Sequence, residues 1–307
     1  MLTTLKSVLA KANRENYAVG AFNINDLEIL QAVMDAAIAE KAPVILQTSA
    51  GAIEYAGMEE LAALVHIEVK KTRVPVVFHL DHGKNIALVK QAIKSGYYTS
   101  AMYDGSALPF KDNVRTTKEI VKLAHAKNIS VEAELGAIAG IEDFVSVKER
   151  EACFTDSTQA AEFVRETHCD ALAIAIGTAH GAYKFKGAPR LDLERLKKIK
   201  TAVKIPLVLH GASGVPQKLK QHCLRHGCKI REARGISDAL IKKAVKFGIN
   251  KINIDTDLRL AFTVGVRHKL KESPETIDPR KILGEAKKVI TQVAREKIRL
   301  LGCAQKA

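Results

Sequence analysis

Tryptophan is absent from the chain, and phenylalanine and tyrosine bring its aromatic fraction to only 5%. So few flat rings leave little surface for stacking single-stranded bases. The formal net charge of +14 therefore needs another reading. Many of the basic residues fall in stretches such as LERLKKIKTAVK (193–204) and ALIKKAVKFG (239–248), which have the pattern of solvated faces on amphipathic helices. No nucleic-acid partner is expected. No run of eighteen apolar residues occurs, so no membrane span is expected, and the opening MLTTLKSVLAKANREN lacks the charged and apolar regions of a signal peptide. The five cysteines, Cys153, Cys169, Cys223, Cys228 and Cys303, are scattered, odd in number and without a CxxC pair. This argues against a disulfide framework and for a reducing cytoplasm. No low-complexity segment and no Pro/Gly/Ser-rich linker divides the sequence, so residues 1–307 are expected to form a single domain.

What the sequence does contain is a recurrence of short apolar runs: AVGAFN (18–23), APVILQTS (42–49), VPVVFHLDH (74–82), YYTSAMYD (97–104), SVEAELG (130–136), ALAIAIG (171–177), IPLVLHG (205–211) and KINIDTD (251–257). Each reads as a parallel strand covered on both faces. Between them lie segments with helical periodicity, among them LEILQAVMDAAIAEK, VRTTKEIVKLAHAK and SDALIKKAVKFG. Eight such β/α units in about 300 residues predict a single (β/α)₈ TIM barrel, with the tail from Asp278 onward as an additional C-terminal helix. An open doubly wound sheet is the alternative, but no GxGxxG follows the first strand.

A barrel gathers its strand ends at one face, where active sites are built. The residues gathered there are Asn23, Gln47 and Ser49, Asp81 and His82, Asp104, Glu132 and Glu134, His180 beyond Gly177, His210 and Gly211, and Asn253, Asp255 and Asp257. His82, His180 and His210 come from three different ends, and three imidazoles with one open position are a common catalytic zinc arrangement. No HExxH motif marks the site locally. His66, His125, His168 and His268 fall in helical patterns, while His222 and His226 lie in the basic stretch QHCLRHGCKIREARG; all six read as structural. Within HLDHG, His79 reads as interior structure. Asp81 has two readings, a proton acceptor beside a metal-bound substrate or a carboxylate that orients a ligand histidine. Glu142 falls in a long loop, SVEAELGAIAGIEDFVSV, and reads as a proton carrier on a lid or as a solvent-facing acid. The glycine-bearing stretches GTAHGAYKFKG (177–187) and HGASGV (210–215) can form anion-binding turns, with Lys184 and Ser213 adding a charge and a donor.

HLDHG, SVEAELG followed by GIED, GTAHGAYKFKG, PLVLHGASG, NIDTDLR and the late DPR appear in an order, from Asn23 to Arg280, that resembles the class II, zinc-dependent ketose-bisphosphate aldolase family. The resemblance implies a lyase of glycolysis and gluconeogenesis that reversibly cleaves fructose 1,6-bisphosphate to dihydroxyacetone phosphate and glyceraldehyde 3-phosphate. Tagatose 1,6-bisphosphate is the alternative substrate. It implies Zn²⁺ on His82, His180 and His210, polarising the ketone and stabilising the enediolate, with Asp104 and Glu134 at positions associated with a second divalent metal. It also implies that Asp81 handles the C4 hydroxyl proton and Glu142 the C3 proton of the triose. Gly181, Lys184, Gly211, Ser213, Asp255 and Thr256 match the dihydroxyacetone-phosphate site, with a monovalent cation (Na⁺ or K⁺) nearby. Asn253 matches a position beside the reacting carbons, and Ser49 and Arg280 match contacts to the other phosphate. Family members are homodimers or homotetramers. The stretch RHGCKIREARGIS (225–237) is longer and more basic than in many relatives. A metal-dependent hydrolase on the same barrel is the more remote reading, but its HxH pair is missing from the first strand. A basic non-enzymatic binding module leaves the polar rim unexplained.

Overall fold

The computed structural model describes residues 1–136, 139–142, 145–147, 154–180, 190–230 and 234–307, giving the backbone alone for 139–142, 145–147 and 179–180. The strands are β1 (Val19–Asn23), β2 (Val44–Thr48), β3 (Val76–Gly83), β4 (Ser100–Tyr103), β5 (Ser130–Leu135), β6 (Ala139–Glu142), β7 (Val145–Val147), β8 (Ala171–Ile174), β9 (Ala179–His180), β10 (Leu207–Leu209) and β11 (Ile249–Ile254). Helices alternate with them: α1 (Leu5–Glu15), α2 (Leu27–Ala39), α3 (Ala50–Ala56), α4 (Met58–Val69), α5 (Ile86–Ser95), α6 (Phe110–His125), α7 (Ser157–Thr167), α8 (Leu193–Ala202), α9 (Gln217–Arg225), α10 (Asp238–Lys246), α11 (Thr256–Glu272) and α12 (Pro279–Leu300).

Eight strands close in the order β1-β11-β10-β8-β5-β4-β3-β2, each parallel to its neighbours. This is the (β/α)₈ barrel that the eight apolar runs predicted, with α12 as the additional C-terminal helix. The barrel strands are buried along their length except at His82, so both faces carry apolar residues: Ile45, Val77 and Leu172 are fully enclosed. Alternation with period two sends the other set into the barrel, where polar residues near the C-terminal ends face one another. At the opposite mouth, Leu2 bridges to Val76, and the Lys6 N–H donates to Ser130 Oγ at 3.0 Å.

Helix starts follow local chemistry. Asp26, Asn85, Asp156 and Asp192 each accept a backbone N–H in the first turn of α2, α5, α7 and α8, which satisfies donors the helix leaves unpaired. Asp278 does the same for α12, with Pro279 at its first position.

The glycine-rich segment around Glu142, expected as an irregular loop, contains regular structure. β6 and β7 form an antiparallel pair, and β6 also runs parallel to β9, with Gly140 opposite His180. Ile141, Val145 and Val147 supply the β-branched residues that favour this extended pairing.

Helix α12 docks through Ile290, Ala294 and Ile298, spaced by four and fully buried. Glu40 anchors its far end by accepting from Arg295 Nε and Arg299 Nη2, both at 2.8 Å. α11 crosses α12 so closely at Gly265 that a Cβ there would lie 2.4 Å from Ala286 Cα. Gly265→Ala must push two packed helices apart. It is expected to lower stability by about 1–3 kcal/mol, read as a lower urea midpoint with an unchanged slope.

Candidate active site

Strand β3 carries the sequence VVFHLDHG into the barrel mouth. His79 and Asp81 share the inward face; His79 is fully buried, with Nδ1 2.9 Å from Ser100 Oγ. Burial, with Lys251 nearby, holds its pKa well below the ordinary histidine value. It is therefore a neutral interior group, as its place inside an apolar run suggested. After Leu80 the pairing with β4 slips, and His82 takes φ +45°, a left-handed conformation uncommon for any residue but glycine. Gly83 follows because a Cβ there would lie 2.3 Å from the Met102 carbonyl. The irregularity turns the His82 ring towards His210 on the opposite side of the barrel.

Their contact defines the site. His82 Nε2 and His210 Nδ1 are 2.8 Å apart. On its other side, His210 Nε2 meets Glu132 Oε1 at 2.8 Å, and His82 Nδ1 meets Asp104 Oδ2 at 3.4 Å. Glu132 is paired with the fully buried Lys251 Nζ at 3.0 Å, and a carboxylate so paired only accepts hydrogen bonds. Burial disfavours the Asp104 carboxylate, but the hydrogen bond and charge of His82, with Lys84 and Ser106, hold its pKa below the usual range. Each outer ring nitrogen thus faces an acceptor and carries the proton. The two inner nitrogens face one another at hydrogen-bond distance, with His210 Nδ1 as the acceptor. Glu134 Oε2 lies 3.6 Å from His210 Nδ1 and 3.8 Å from His82 Nδ1, buried and without a hydrogen-bond partner. Burial and the neighbouring Asp104 charge push its pKa well above the carboxylate range. Asp81, His82 and His210 offer ligand atoms within 4.8 Å of one another, and so do His82, Asp104 and Glu134. Imidazoles backed by carboxylates are a recurrent support for metal ions, and the donor set fits the zinc expected here. His180 lies on β9; its side chain, like that of Glu142, is outside the described residues.

The hydrogen bonds of Asp81 go to amides. Its Oδ2 accepts from Asn23 Nδ2 and Gln47 Nε2, both at 3.0 Å, and its Oδ1 accepts from Asn253 Nδ2 at 2.9 Å. Asn253 Oδ1 in turn accepts from Lys251 Nζ at 2.7 Å. Asp81 is only 1% exposed, held by three neutral amides with no cation paired to it among the described residues.

The loop after β10 runs through Gly211, Ser213, Gly214 and Val215, with Gly211 at φ +58° and Val215 at φ +44°. A β-branched residue in this region is strained. Asp257, fully buried, accepts from the Gly214 N–H at 3.0 Å and the Val215 N–H at 2.8 Å. It also pairs with Lys297 Nζ of α12 at 2.9 Å. Asp255 and Thr256 open α11 beside this loop, and Arg259 Nε donates to Asp255 Oδ1 at 2.8 Å. Ser49 caps α3 and lines a cavity of about 300 Å³ with Asn23, Asn25, Gly51, Tyr55 and Arg259. Arg280 pairs with Asp278 on the exposed first turn of α12 and has no described contact with the rim. Gly181 and Lys184 lie outside the described residues. Sequence reasoning missed Lys251 and Arg259. Period-two spacing from Asn253 and four-residue spacing from Asp255 were the available signals.

A closed barrel with opposed, carboxylate-backed imidazoles and a buried carboxylate at its C-terminal mouth is the frame of a metal-assisted enzyme. A sequence model described as fructose-bisphosphate aldolase class-II matches residues 3–306; the chain belongs to that family of lyases. It is 48% identical over 307 residues to a fructose-bisphosphate aldolase of Thermus caldophilus and 42% identical over 307 residues to one of Helicobacter pylori, covering 100% of each chain in both comparisons. Its backbone superposes on the crystal structure of the YdjI aldolase from Escherichia coli K12 with a TM-score of 0.80, at 36% identity and 100% coverage of both chains.

The Asp257–Lys297 pair sets a pH window. Burial alone would raise the Asp257 pKa, but the Lys297 charge and the two loop N–H donors outweigh it and the pKa is lowered. Burial alone would lower that of Lys297, and Asp257 more than reverses this. The Asp257 contribution is therefore present above the ordinary carboxylate pKa of about 4 and lost as pH falls through the depressed folded value. The Lys297 contribution is lost only in strong alkali. Asp257→Asn leaves a buried ammonium unpaired and is expected to cost about 3–5 kcal/mol at pH 7. The difference from wild type should shrink below about pH 4, as measured by denaturant unfolding across pH.

Proposed function

We propose that residues 1–307 act as one catalytic unit that reversibly cleaves fructose 1,6-bisphosphate into two triose phosphates. The observation that carries this reading is the pair of opposed imidazole nitrogens beside Asp81, in a chain of the class II aldolase family. His82, His180 and His210 would hold zinc, which would supply an electrophile for the substrate ketone. Asp81 takes the C4 hydroxyl proton. Three amides fix both of its oxygens, so the carboxylate is preorganised for that transfer. Glu142 returns a proton to the carbon released when the bond breaks, and condensation reverses these steps. Asn253 links Asp81 to the buried lysine and keeps the two in register.

Gly211 and Ser213, with Gly181, Lys184, Asp255 and Thr256, hold the phosphate of the dihydroxyacetone half, beside a monovalent cation. Ser49 takes the other phosphate together with Arg280. Arg259, lining the same cavity as Ser49, adds a positive charge. Asp104 and Glu134 offer a second divalent-metal position. The protein works as a homodimer or homotetramer in the cytoplasm; no helix among the described residues is long and apolar enough to cross a membrane.

Asp81→Ala is expected to reduce turnover by about 10²–10⁴-fold with zinc content unchanged. Loss of zinc along with activity would instead make Asp81 a support for the metal. Glu142→Ala should slow tritium exchange from the triose more than it weakens triose binding. Chelation should abolish cleavage and zinc restore it, while faster turnover of tagatose 1,6-bisphosphate in a parallel assay would reassign the sugar.

A further inference from the structure

Outside the barrel mouth, three more histidines converge. His222 and His226 lie one turn apart at the end of α9, a spacing that stacks side chains on one helical face. α9 packs on α11 through Cys223, whose Sγ lies 3.8 Å from the Leu260 carbonyl. Arg267 Nη1 donates to the His226 carbonyl at 3.1 Å and fixes the end of the helix. This brings His268, 42 positions after His226 in the sequence, against the pair. Ring centroids are 4.8 Å apart for His222–His226, 5.2 Å for His226–His268 and 5.6 Å for His222–His268. One ring nitrogen from each lies within 4.8 Å of the other two.

Two features separate this cluster from a chance grouping of aromatic rings. His226 Nδ1 and His268 Nδ1 are shielded from solvent and have no hydrogen-bond partner, although buried polar atoms are normally satisfied. Each of the three residues is nonetheless partly exposed, and His222 borders an open cavity of about 930 Å³, so a small solute can reach the cluster.

We propose that His222, His226 and His268 form a second metal site, distinct from the catalytic one, that takes a borderline divalent transition ion such as zinc and ties α9 to α11. The donor set decides the class of ion. Three imidazoles and no carboxylate suit zinc, nickel or copper and not magnesium or calcium. Burial, the neighbouring histidines and the charges of Arg225 and Lys271 lower the pKa values of His222 and His226, which keeps both rings in the neutral form that binds metal. Tetrahedral zinc holds ligand nitrogens roughly 3.4 Å apart, so side-chain rotations must draw the three together slightly, and a solvent molecule completes the fourth position.

The test uses zinc itself. The unmodified protein, His226→Gln and His268→Gln are dialysed against buffered micromolar zinc and analysed for metal. The unmodified chain should carry one zinc per chain more than either variant, and both variants should retain cleavage activity and the wild-type circular dichroism. Equal zinc in the three folded proteins overturns the proposal. A failed catalytic-site assignment changes all three counts equally and leaves the difference intact. Zinc-edge anomalous scattering from crystals of the unmodified chain needs no variant. A peak between the three rings supports the site, and its absence with zinc bound elsewhere in the same crystal overturns it.

Discussion

At the centre of the barrel a lysine ammonium and a glutamate carboxylate meet with neither exposed to water. Desolvating two charges is expensive, and such a pair is stable only when further hydrogen bonds occupy the remaining positions. Here they do. Lys251 also donates to Asn253, and Glu132 accepts from His210. The pair fixes what lies above it. With Glu132 held as an acceptor, His210 must carry its proton on Nε2, which leaves Nδ1 bare and aimed at His82. The tautomer that leaves a bare ring nitrogen at the barrel mouth is thus set by an ion pair on the far side of the ring. The same lysine orients Asn253, and through it the carboxylate of Asp81.

The side chains at the barrel mouth and the glycine loop beside them are supported by different layers. The histidines and Asp81 are braced from inside the barrel, by residues on β1, β2, β5 and β11 and by Asp104 just after β4. The glycine loop after β10 is braced from outside, where Asp257 holds two of its N–H groups and Lys297 reaches in from α12. The placement of the histidines and Asp81 therefore depends on strand register, whereas the shape of the loop depends on how the outermost helix is seated.

The barrel and most of its rim were legible in the sequence because short apolar runs and period-two alternation are local signals. Asn23, Asp81, His82, Glu134, His210 and Asn253 all sit where a strand was expected to end. Lys251 was not legible: a lysine at the start of KINIDTD reads as a solvent-facing boundary, and the charge that makes its burial tolerable is on Glu132, 119 positions earlier. The hairpin at Glu142 was missed because its glycines look like loop punctuation, and its pairing depends on a strand about forty residues away. The cluster of His222, His226 and His268 was hidden for the same reason, since helix packing joins it and no motif does. Its one local trace, two histidines four apart, is common on ordinary helices.

The backbone of His82 has a further consequence. A histidine at φ +45° bears a conformational penalty that glycine would not, on the order of 1–2 kcal/mol. Selection for stability alone would drift towards glycine or asparagine at this position. Directed evolution of a hardier barrel, screened only for resistance to heat, should therefore replace His82 early, and on the function proposed above that gain in stability would remove a ring nitrogen from the site.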